Sequence, residues 1–502
     1  MLKSISQKDA IVLYWDLPEN YENVKEYAVM QNGNLVGTTK KSHLEIGGLL
    51  ADTIYSYTLV AKLTDGGELV LGEISAKTEP VKKMIDITAA PYFAVGDGKT
   101  LNTKKIQRAI NDCKAGECVY IPEGDFMTGS LFLHSDMELY LEKGAVIHGT
   151  ANVEDYSPKI KSRFEGNEMM TYAGLINIGE LDREKGYNCK NVRICGQGTV
   201  RGGGRPLMDN VIAVESVLMK NYIASLGDTI SEHDAKFTFP ARVRPRLINM
   251  SCAQNVVMWG VNAEYGASWN IHMIYCDNIV TYKTVIRSEN VNNGDGWDPD
   301  SSTNCTLFAA EFFTGDDAVA IKSGKNPEGN IINIPCEHIR VFDCISHYGH
   351  GLTIGSEMSG GVSDVKVWNC DMGNSLYGFE IKGTKKRGGY VRDVHVKNCK
   401  LCRILLHSVP YNDDGIAGPS APIFENCSFE NMHLTAKMMN IYNGNKIEYC
   451  NAITIEGFDA PGHFVKNVKF KNILVDNGED SHKQFFAMQR CEGICFENVC
   501  CK

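Results

Sequence analysis

The sequence has no apolar run long enough to cross a membrane, and this absence excludes several classes of protein. Residues 1–10 reach charged side chains before any apolar stretch of signal-peptide length begins. Basic residues are also scarce: 51 lysines and arginines face 61 acidic residues, and the net charge is −10. No basic stripe alternates with aromatic residues, so nucleic acid and anionic membranes are not expected partners. We therefore expect a cytoplasmic globular protein.

The 18 cysteines lack the spacing of a zinc site. Cys399 and Cys402 form one Cys-x-x-Cys pair, but no matching pair follows at metal-ligand distance. The remaining cysteines are spread along the chain, and many stand at the ends of strand patterns. We interpret them as reduced, buried, small apolar side chains. Neither a metal nor a cofactor is predicted.

Residues 1–80 carry short alternating runs that are separated by glycine-rich turns, as in Ala10–Trp15 and Ile54–Lys62. This spacing predicts a small β-sandwich. Trp15 and the tyrosines near residue 55 make the segment resemble a fibronectin type III domain. Residues 81–90 are then expected to form a linker to a second domain at 91–502.

The second domain begins with one predicted helix at residues 102–113, whose apolar side chains fall on one face. Thr103 is a candidate for its cap. Short strand patterns follow, and several end in an Asp-Cys or Asn-Cys pair. The cysteines Cys344, Cys370, Cys399 and Cys427 are 26, 29 and 28 residues apart.

A period of that length with only strands inside it predicts stacked coils, in which asparagines and cysteines form internal ladders. The Leu-x-x-Leu-x-Leu frame of leucine-rich repeats is missing. We therefore predict an all-β protein: a right-handed parallel β-helix preceded by a small β-sandwich. The helix at 102–113 is expected to cap the open end of the β-helix and shield its strand edges.

Four chemically active side chains lie within 56 residues of one another. Asp295 follows Asn293 and a glycine, Asp316 and Asp317 follow a glycine, and His350 stands between two glycines. Hydrolysis of a sugar bond needs one protonated and one ionised carboxyl group at the same bond. Neighbouring residues on a strand point to opposite faces, so Asp316 and Asp317 can share a site only where the chain bends. Repulsion among three carboxylates is expected to keep one of them protonated.

From residue 91 to the end of the chain, these motifs resemble the polygalacturonase family, glycoside hydrolase family 28. The resemblance implies inverting hydrolysis on a parallel β-helix. It further implies that Asp316 is the general acid and that Asp295 and Asp317 position and deprotonate the attacking water. His350 would contact these carboxylates and help to hold the protonation state of the acid.

The family's Arg-Ile-Lys motif stands here as Glu380-Ile-Lys382. The resemblance implies that Lys382 binds a galacturonate carboxylate, which a glutamate at position 380 would repel. Three explanations are open. Lys385, Lys386 or Arg387 supplies the missing charge, or the sugar is neutral and Glu380 accepts hydrogen bonds from it. Alternatively, Glu380 only pairs with Lys382, since residues two apart share a strand face.

Two further residues are candidates for substrate binding, Asn293 and Asp298. Asp298 and Asp300 also fit a supporting role in the loop, through side-chain to backbone hydrogen bonds. The polar segment 322–330 is long enough to close one end of a cleft and leave a pocket for a terminal sugar. Three sequence segments resemble the bacterial exo-acting branch of the family: residues 162–166, 298–302 and 354–361.

The sequence thus predicts an inverting exo-acting hydrolase that removes terminal galacturonate from pectic oligosaccharides. The alternative is an exo-glycosidase of the same family that releases a terminal neutral sugar such as rhamnose, xylose or apiose. A carbohydrate-binding β-helix without activity is disfavoured, because the three aspartates and the histidine are all present. An eliminase of the pectate-lyase type would need calcium-binding acids and an arginine base that we do not find.

Overall fold

The computed structural model describes residues 1–227, 238–410, 415–476 and 485–502. The chain forms two compact units, Met1–Lys83 and Met84–Lys502. The point of division lies inside the range 81–90 that the sequence suggested as a linker, where a short strand spans Lys83–Asp86. No helix within the described ranges is long and apolar enough to cross a membrane.

The smaller unit is a β-sandwich of two antiparallel sheets, as predicted. Three strands form one sheet: Leu2–Ser6, Ala10–Trp15 and His43–Gly47. Four strands form the other: Asn34–Thr39, Val24–Gln31, Ile54–Leu63 and Glu68–Lys77. Trp15 is buried between the sheets and meets the ring of Tyr27 edge-on at 5.2 Å. Alternating apolar residues from both sheets fill this core, which explains the period of two in the sequence.

The larger unit is a right-handed parallel β-helix, so the predicted fold class is confirmed. Each coil adds strands to three parallel faces. The strands of the first face are Glu117–Ile121, Glu138–Leu141, Cys189–Gly196, Ala253–Trp259, Asp277–Tyr282, Thr303–Phe308, Cys336–Phe342, Val362–Trp368, Tyr390–Lys397, Ile423–Leu434, Val465–Val475 and Cys491–Cys501.

The second and third faces have shorter strands. Those of the second face are Gly124–Thr128, Ala145–Gly149, Thr199–Arg201, Asn262–Glu264, Val285–Arg287, Glu311–Phe313, Ile345–Tyr348, Asp371–Met372 and Lys400–Leu401. Those of the third face are Leu131–Leu133, Ile176–Ile178, Ile248–Ser251, Ile271–Ile274, Trp297–Asp300, Val319–Ile321, Gly351–Ile354, Gly378–Gly383, Ile404–Ser408, Ile453–Glu456 and Phe486–Gln489.

The Asn-Cys repeat that predicted the coils forms two ladders, one of cysteines in the core and one of asparagines towards solvent. The cysteines at positions 344, 370, 399 and 427 are buried, and all 18 cysteines of the chain are free thiols. The asparagine ladder, in contrast, lies towards solvent, where the expectation of an internal ladder was wrong. Asn398 donates its side-chain amide to the oxygen of Asn369 at 2.7 Å, and both residues have φ between 52 and 54°. Asparagine tolerates this left-handed backbone at a turn better than most residues do.

The predicted helix spans Thr103–Asp112 and buries Ile106, Ala109 and Ile110 in the core of the β-helix. The amide of Gln107 donates to the carbonyl of Phe132 and accepts from its N–H, at 3.0 and 2.8 Å. These bonds satisfy the edge of the first strand of the third face, as the capping prediction requires. The N-cap residue is Asn102, not Thr103. The hydroxyl of Thr103 accepts a hydrogen bond from the N–H of Gly129.

The other regular elements are helices, 3-10 turns and two hairpins. The helices are Gly204–Leu218, Lys220–Ser225, Thr238–Ala241 and Glu328–Ile332, and the 3-10 turns are Tyr21–Asn23 in the smaller unit and Val153–Tyr156 and Arg183–Lys185 in the larger. Two antiparallel hairpins pair Ile160–Phe164 with Asn167–Thr171, and Lys437–Asn440 with Lys446–Tyr449. Both hairpins and the helices that begin at residues 204, 220 and 238 enter the chain just before a strand of the third face.

Candidate active site

The predicted catalytic residues lie at one turn of three successive coils. Asp295 precedes the third-face strand Trp297–Asp300, Asp316 and Asp317 precede the next strand, and His350 precedes the strand after that. Parallel strands that are hydrogen-bonded in register stand about 4.8 Å apart, so equivalent turn positions on adjacent coils are neighbours in space. The β-helix therefore brings together side chains that are 55 residues apart in sequence.

Asp316 and Asp317 share the site because the chain leaves the sheet before them. The pairing register of the second face shifts between Phe312 and Phe313, and the next strand begins only at Val319. Gly315 is packed so closely that a Cβ there would lie 2.3 Å from the carbonyl oxygen of Val291. The bend predicted for the Gly-Asp-Asp motif is thus confirmed.

His350 joins the two adjacent carboxylates. Its Nδ1 lies 2.8 Å from Oδ1 of Asp316 and 3.2 Å from Oδ1 of Asp317, which also accepts a bond of 2.7 Å from Thr353. Burial lowers the pKa of His350, but the two carboxylates outweigh it and raise that pKa to about 10. Burial raises the pKa of Asp317, but Lys382 and His350 outweigh it and hold that pKa well below its usual range.

Asp295 is paired with a lysine on its other side. Lys322 donates to its Oδ2 at 3.0 Å, while Oδ1 has no hydrogen-bond partner among the described residues. Burial raises the pKa of Asp295 to about 7, with Lys322 opposing and the other two catalytic carboxylates adding to the rise. The sequence predicted that one carboxyl of the three would hold a proton. Asp295 has a raised pKa, mainly through burial rather than repulsion, and which of the three carboxyls holds the proton stays a prediction.

The two additional substrate-binding candidates differ in their surroundings. Asn293 uses its amide oxygen to accept from Arg244 at 2.6 Å. Asp298 is completely buried, and neither of its oxygens accepts a hydrogen bond from the described residues. Burial and the neighbouring Asp295 raise the pKa of Asp298. The side-chain to backbone hydrogen bonds expected of Asp298 are thus not formed, and the carboxylate of Asp300 binds side chains instead, Arg163 at 2.6 Å and His272 at 3.4 Å.

Glu380 and Lys382 lie on one strand of the third face and form an ion pair of 3.1 Å. His407, from the next coil, lies 2.7 Å from the other oxygen of Glu380. Burial raises the pKa of Glu380, but Lys382 and His407 outweigh it and lower that pKa overall. Lys382 also lies 3.7 Å from Oδ2 of Asp317. The geometry agrees with the explanation that Glu380 is a partner of Lys382, and it adds a histidine to the pair.

The three cations considered as substitutes for the missing arginine occupy different places. Lys385 and Lys386 are exposed, and Lys386 donates to the carbonyl of Gly415 at 3.1 Å. Arg387 is buried and donates to the carbonyl of Ser356 at 2.9 Å. Arg387 lies 3.9 Å from Glu357, so only this one of the three reaches the acidic and basic groups of the site.

Four cations act on Glu357, and two of them, Lys322 and Arg387, lie within 4 Å of it. Burial raises the pKa of Glu357, but Lys322, Arg387, Lys325 and Lys382 all act against it and lower that pKa overall. Lys322 links this group to the catalytic carboxylates, since its ammonium lies 3.7 Å from Glu357 and 3.0 Å from Asp295. The site thus contains several cations in spite of the glutamate at position 380.

Sequence reasoning missed several residues that contact the predicted catalytic or substrate-binding groups: Lys322, Thr353, Arg244, His407 and Tyr442. The alignment of coils offered a signal for some of them. Thr353 pairs in register with Glu380, and Lys322 forms a bridge with Asp300 on the neighbouring strand. Tyr442 lies on an insertion and follows from no local pattern.

Asp316, Asp317 and His350 also place potential metal-ligand atoms within 4.8 Å of one another. However, Nδ1 of His350 already faces both carboxylates at hydrogen-bond distance. This is the arrangement of an ion-paired acid–base group, and the absence of a metal stays a prediction.

Four segments are joined next to Lys322, which binds Asp295. The carbonyl of Gly166, at the tip of the hairpin 160–171, accepts from the N–H of Lys325 at 3.0 Å. Asn326 donates to the carbonyl of Ile416 at 2.7 Å and accepts from Arg387 at the same distance. Phe164 of the hairpin stacks on Trp269 at 4.9 Å. The segment 322–330, predicted to close the cleft, is therefore bound to three other segments of the chain.

Comparison with known proteins agrees with this site. A family model described as "Glycosyl hydrolases family 28" matches residues 161–414. The exo-poly-alpha-D-galacturonosidase of Dickeya chrysanthemi is 27% identical over 449 residues, which cover 80% of this chain and 73% of that protein.

Solved structures show the same fold. The Yersinia enterocolitica family 28 exopolygalacturonase has a TM-score of 0.83 at 22% identity, covering 99% of this chain and 96% of that one. The hyperthermoactive exopolygalacturonase of Thermotoga maritima has a TM-score of 0.67 at 25% identity, covering 84% and 92%. Because the family model matches half of the chain and includes all the motifs of the site, the protein belongs to glycosyl hydrolase family 28 and is a glycoside hydrolase.

Proposed function

We propose that the protein is an inverting exo-acting hydrolase that removes terminal galacturonate residues from pectic oligosaccharides. The observation that carries this proposal is the group of three aspartates and His350, with cations beside it and joined segments next to Lys322. The relatives named as exo-acting on galacturonate polymers support the choice of substrate and of exo action.

In the proposed reaction, Asp316 protonates the glycosidic oxygen of the leaving sugar. Its side chain is more exposed than those of Asp295 and Asp317, as a donor to an entering substrate should be. Asp295 and Asp317 orient and deprotonate a water for attack on the opposite side of the sugar. Oδ1 of Asp295, which lacks a partner among the described residues, is the acceptor we assign to this water.

We assign binding of the sugar carboxylate to the cations around Glu357. Lys382 and Lys322 each lie within 4 Å of a catalytic aspartate, so a carboxylate near either would be close to the reacting bond. Glu380 then holds Lys382 in place rather than repelling the substrate, because both of its oxygens face cationic or histidine partners. Asn293 and Asp298 stay proposed substrate contacts.

The joined segments support exo action. A polymer that binds throughout its length needs a cleft open at both ends, whereas a site closed at one end accepts only a chain terminus. The bonds among the segments near residues 166, 325, 387 and 416 support a closed end.

The neutral-sugar alternative loses its main support in this structure. It rested on Glu380 accepting hydrogen bonds from sugar hydroxyls, and Glu380 is 2% exposed and faces Lys382 and His407. The relatives reported above are named for galacturonate polymers. We therefore keep galacturonate as the proposed substrate.

We further propose that the enzyme works in the cytoplasm on imported oligosaccharides, as part of pectin degradation. The 18 free thiols support this location, because a reducing compartment keeps cysteines unpaired.

Incubation with galacturonate oligomers should release monomeric galacturonate from the first minutes, without intermediate fragments. Chromatography of timed samples measures this result, and rhamnosides, xylosides and apiosides serve as controls that should stay intact. Early appearance of mixed short oligomers would contradict exo action, and release of a neutral sugar alone would contradict the proposed substrate.

Asp316→Asn should lower kcat on galacturonate oligomers by about 10²–10⁴-fold, the usual contribution of a general acid. A nitrophenyl galacturonide needs little protonation of its leaving group, so this variant should retain far more activity on it. Asp295→Asn and Asp317→Asn should lose activity on both substrates, because the water is then not activated. Steady-state kinetics on the two substrates measures the difference.

Asp459→Asn, at an exposed aspartate outside the site, is the matched control and should behave like the wild type on both substrates. An Asp316→Asn enzyme that loses equal activity on the oligomer and the nitrophenyl galacturonide would remove the general-acid assignment.

The pH profile of kcat/KM should rise with pH through an apparent pKa of about 7, the value for Asp295. The value of kcat/KM should rise because a carboxyl that must accept a proton from water is inactive below its pKa and active above it. Lys322→Met removes the cation that lowers this pKa, so the rising limb should move to higher pH. Lys385→Met, at an exposed lysine, is the control. An unshifted limb in Lys322→Met would assign the titration to another group.

Glu380→Gln should lower kcat/KM on galacturonides by about 10- to 100-fold, since charged hydrogen bonds contribute about 1.5–3 kcal/mol. Glu380→Arg should not improve activity, because it adds a buried cation beside Lys382 and His407. Glu456→Gln breaks a third-face ion pair with Arg490 and is the control. Higher kcat/KM in Glu380→Arg would mean that position 380 sets charge preference directly.

A further inference from the structure

One insertion reaches the catalytic histidine from a distant part of the β-helix. The hairpin formed by Lys437–Asn440 and Lys446–Tyr449 precedes the third-face strand Ile453–Glu456. That strand lies three coils beyond the strand that follows His350. Three strand spacings amount to about 14 Å. The hairpin also lies outside residues 161–414, which the family model matches.

Tyr442, in the turn of this hairpin, makes the contact. Its hydroxyl oxygen lies 2.8 Å from Nε2 of His350, the ring nitrogen that faces away from the catalytic aspartates. The two rings meet at 64° with centroids 5.7 Å apart. As a residue, Tyr442 is 70% exposed, while its hydroxyl reaches the catalytic group.

We propose that Tyr442 is a positioning residue that fixes the imidazole of His350 against Asp316 and Asp317. The inference rests on the proposed function and deepens it. With Nδ1 bound to the two aspartates and Nε2 bound to Tyr442, both nitrogens of the ring are occupied and its rotation is stopped.

The charges around His350 determine which group donates. Asp316 and Asp317 face Nδ1 from the preceding coil, the ring of Tyr377 meets the imidazole edge-on at 4.9 Å from the following coil, and Lys382 lies beyond Asp317. The ionised Asp317 and Oδ1 of Asp316, which can accept while Oδ2 carries the proton of the general acid, favour the imidazolium, in which both nitrogens carry a proton. The Nε2–H therefore donates to the hydroxyl oxygen of Tyr442, which accepts. This bond stabilises the charged form of the histidine.

The hairpin holds Tyr442 independently of its contact with His350. Asn440 accepts from the N–H of Tyr442 at 3.1 Å, and the side chains of Asn440 and Asn443 both donate to Glu448, at 3.2 and 2.9 Å. The N–H of Met439 donates to the carbonyl of Ser375 on the main body of the β-helix at 3.1 Å. The position of the hydroxyl is thus set by the hairpin before any substrate arrives.

Tyr442→Phe tests the hydroxyl while it keeps the ring, and Tyr449→Phe on the same hairpin is the matched control. We expect kcat of Tyr442→Phe to fall about tenfold with KM changed less than twofold, because a charge-assisted bond of roughly 1.5 kcal/mol is lost. The alkaline limb of its pH profile should move to lower pH, because the imidazolium is less stable. Tyr449→Phe should match the wild type.

A second measurement needs no substrate. The chain has 13 histidines, and the NMR signal of His350 in histidine-labelled enzyme is assigned by its loss in His350→Asn. Its titration should move down by about one pH unit in Tyr442→Phe, as expected for loss of one hydrogen bond to the charged form. If the wild type releases no galacturonate, the proposed function fails, and this titration still decides the role of Tyr442.

An unchanged titration together with a raised KM and an unchanged kcat would overturn the inference and make Tyr442 a substrate contact. Glu448→Ala provides an independent test, because it removes the acceptor that ties Asn440 and Asn443 together. It should reproduce part of the fall in kcat seen in Tyr442→Phe. Full activity in both variants would also overturn the inference. Thermal unfolding of each variant checks that the β-helix remains folded.

Discussion

The parallel register of the coils is the constraint on which the site depends. Each third-face strand binds the next in register, so a turn position on one coil stands beside the same position on its neighbours. Asp295, Asp317 and His350 meet for this reason alone, since no local element joins them. The same register brings Thr353 next to Glu380, and Lys322 next to Asp300. Catalytic geometry is therefore a property of coil stacking.

Stacking acids in this way has an electrostatic cost that the neighbouring coils offset. Buried carboxylates of like charge repel, and each unpaired buried ion costs several kcal/mol. Lys322 is placed against Asp295, and His350 and Lys382 are placed against Asp317. The pairing is unequal, because Asp295 keeps one oxygen without a partner among the described residues. This inequality separates the pKa values of the two carboxyls, and such separation allows one to stay ionised while the other exchanges a proton.

Much of the fold could be predicted because its signals are periodic. The spacing of the cysteines predicted the coils of the β-helix, and the alternating apolar runs before residue 80 predicted the β-sandwich. The catalytic aspartates and His350 stood in short motifs rich in glycine, where a bend or a close approach needs that residue. We expected the asparagine ladder inside the β-helix and were wrong, because sequence spacing cannot distinguish a core position from a turn position with positive φ. The raised pKa of Asp295 depends on burial, which no local sequence reveals.

The residues that sequence reasoning missed share a different cause. Lys322 and His407 contact the site only through the register of neighbouring strands, and Tyr442 contacts it only because an insertion folds back over three coils. Hairpins and helices enter this protein repeatedly at the same turn, between the second and third faces. An insertion there does not disturb the stacking of the coils, since the strands on either side stay in register.

Because the insertions lie outside the stacked strands, they can change without moving the acid–base group. The acid–base group is fixed by strands whose register cannot slip without moving every apolar side chain out of the core. The segments that close the site, such as the hairpin 160–171 and the loop near Lys325, are held by bonds among themselves. A change in these segments can therefore alter which part of a polymer enters, while the carboxylates and His350 keep their positions. The hairpin that carries Tyr442 is an exception, because it contacts the catalytic histidine directly. A change in this hairpin would therefore alter the catalytic group itself.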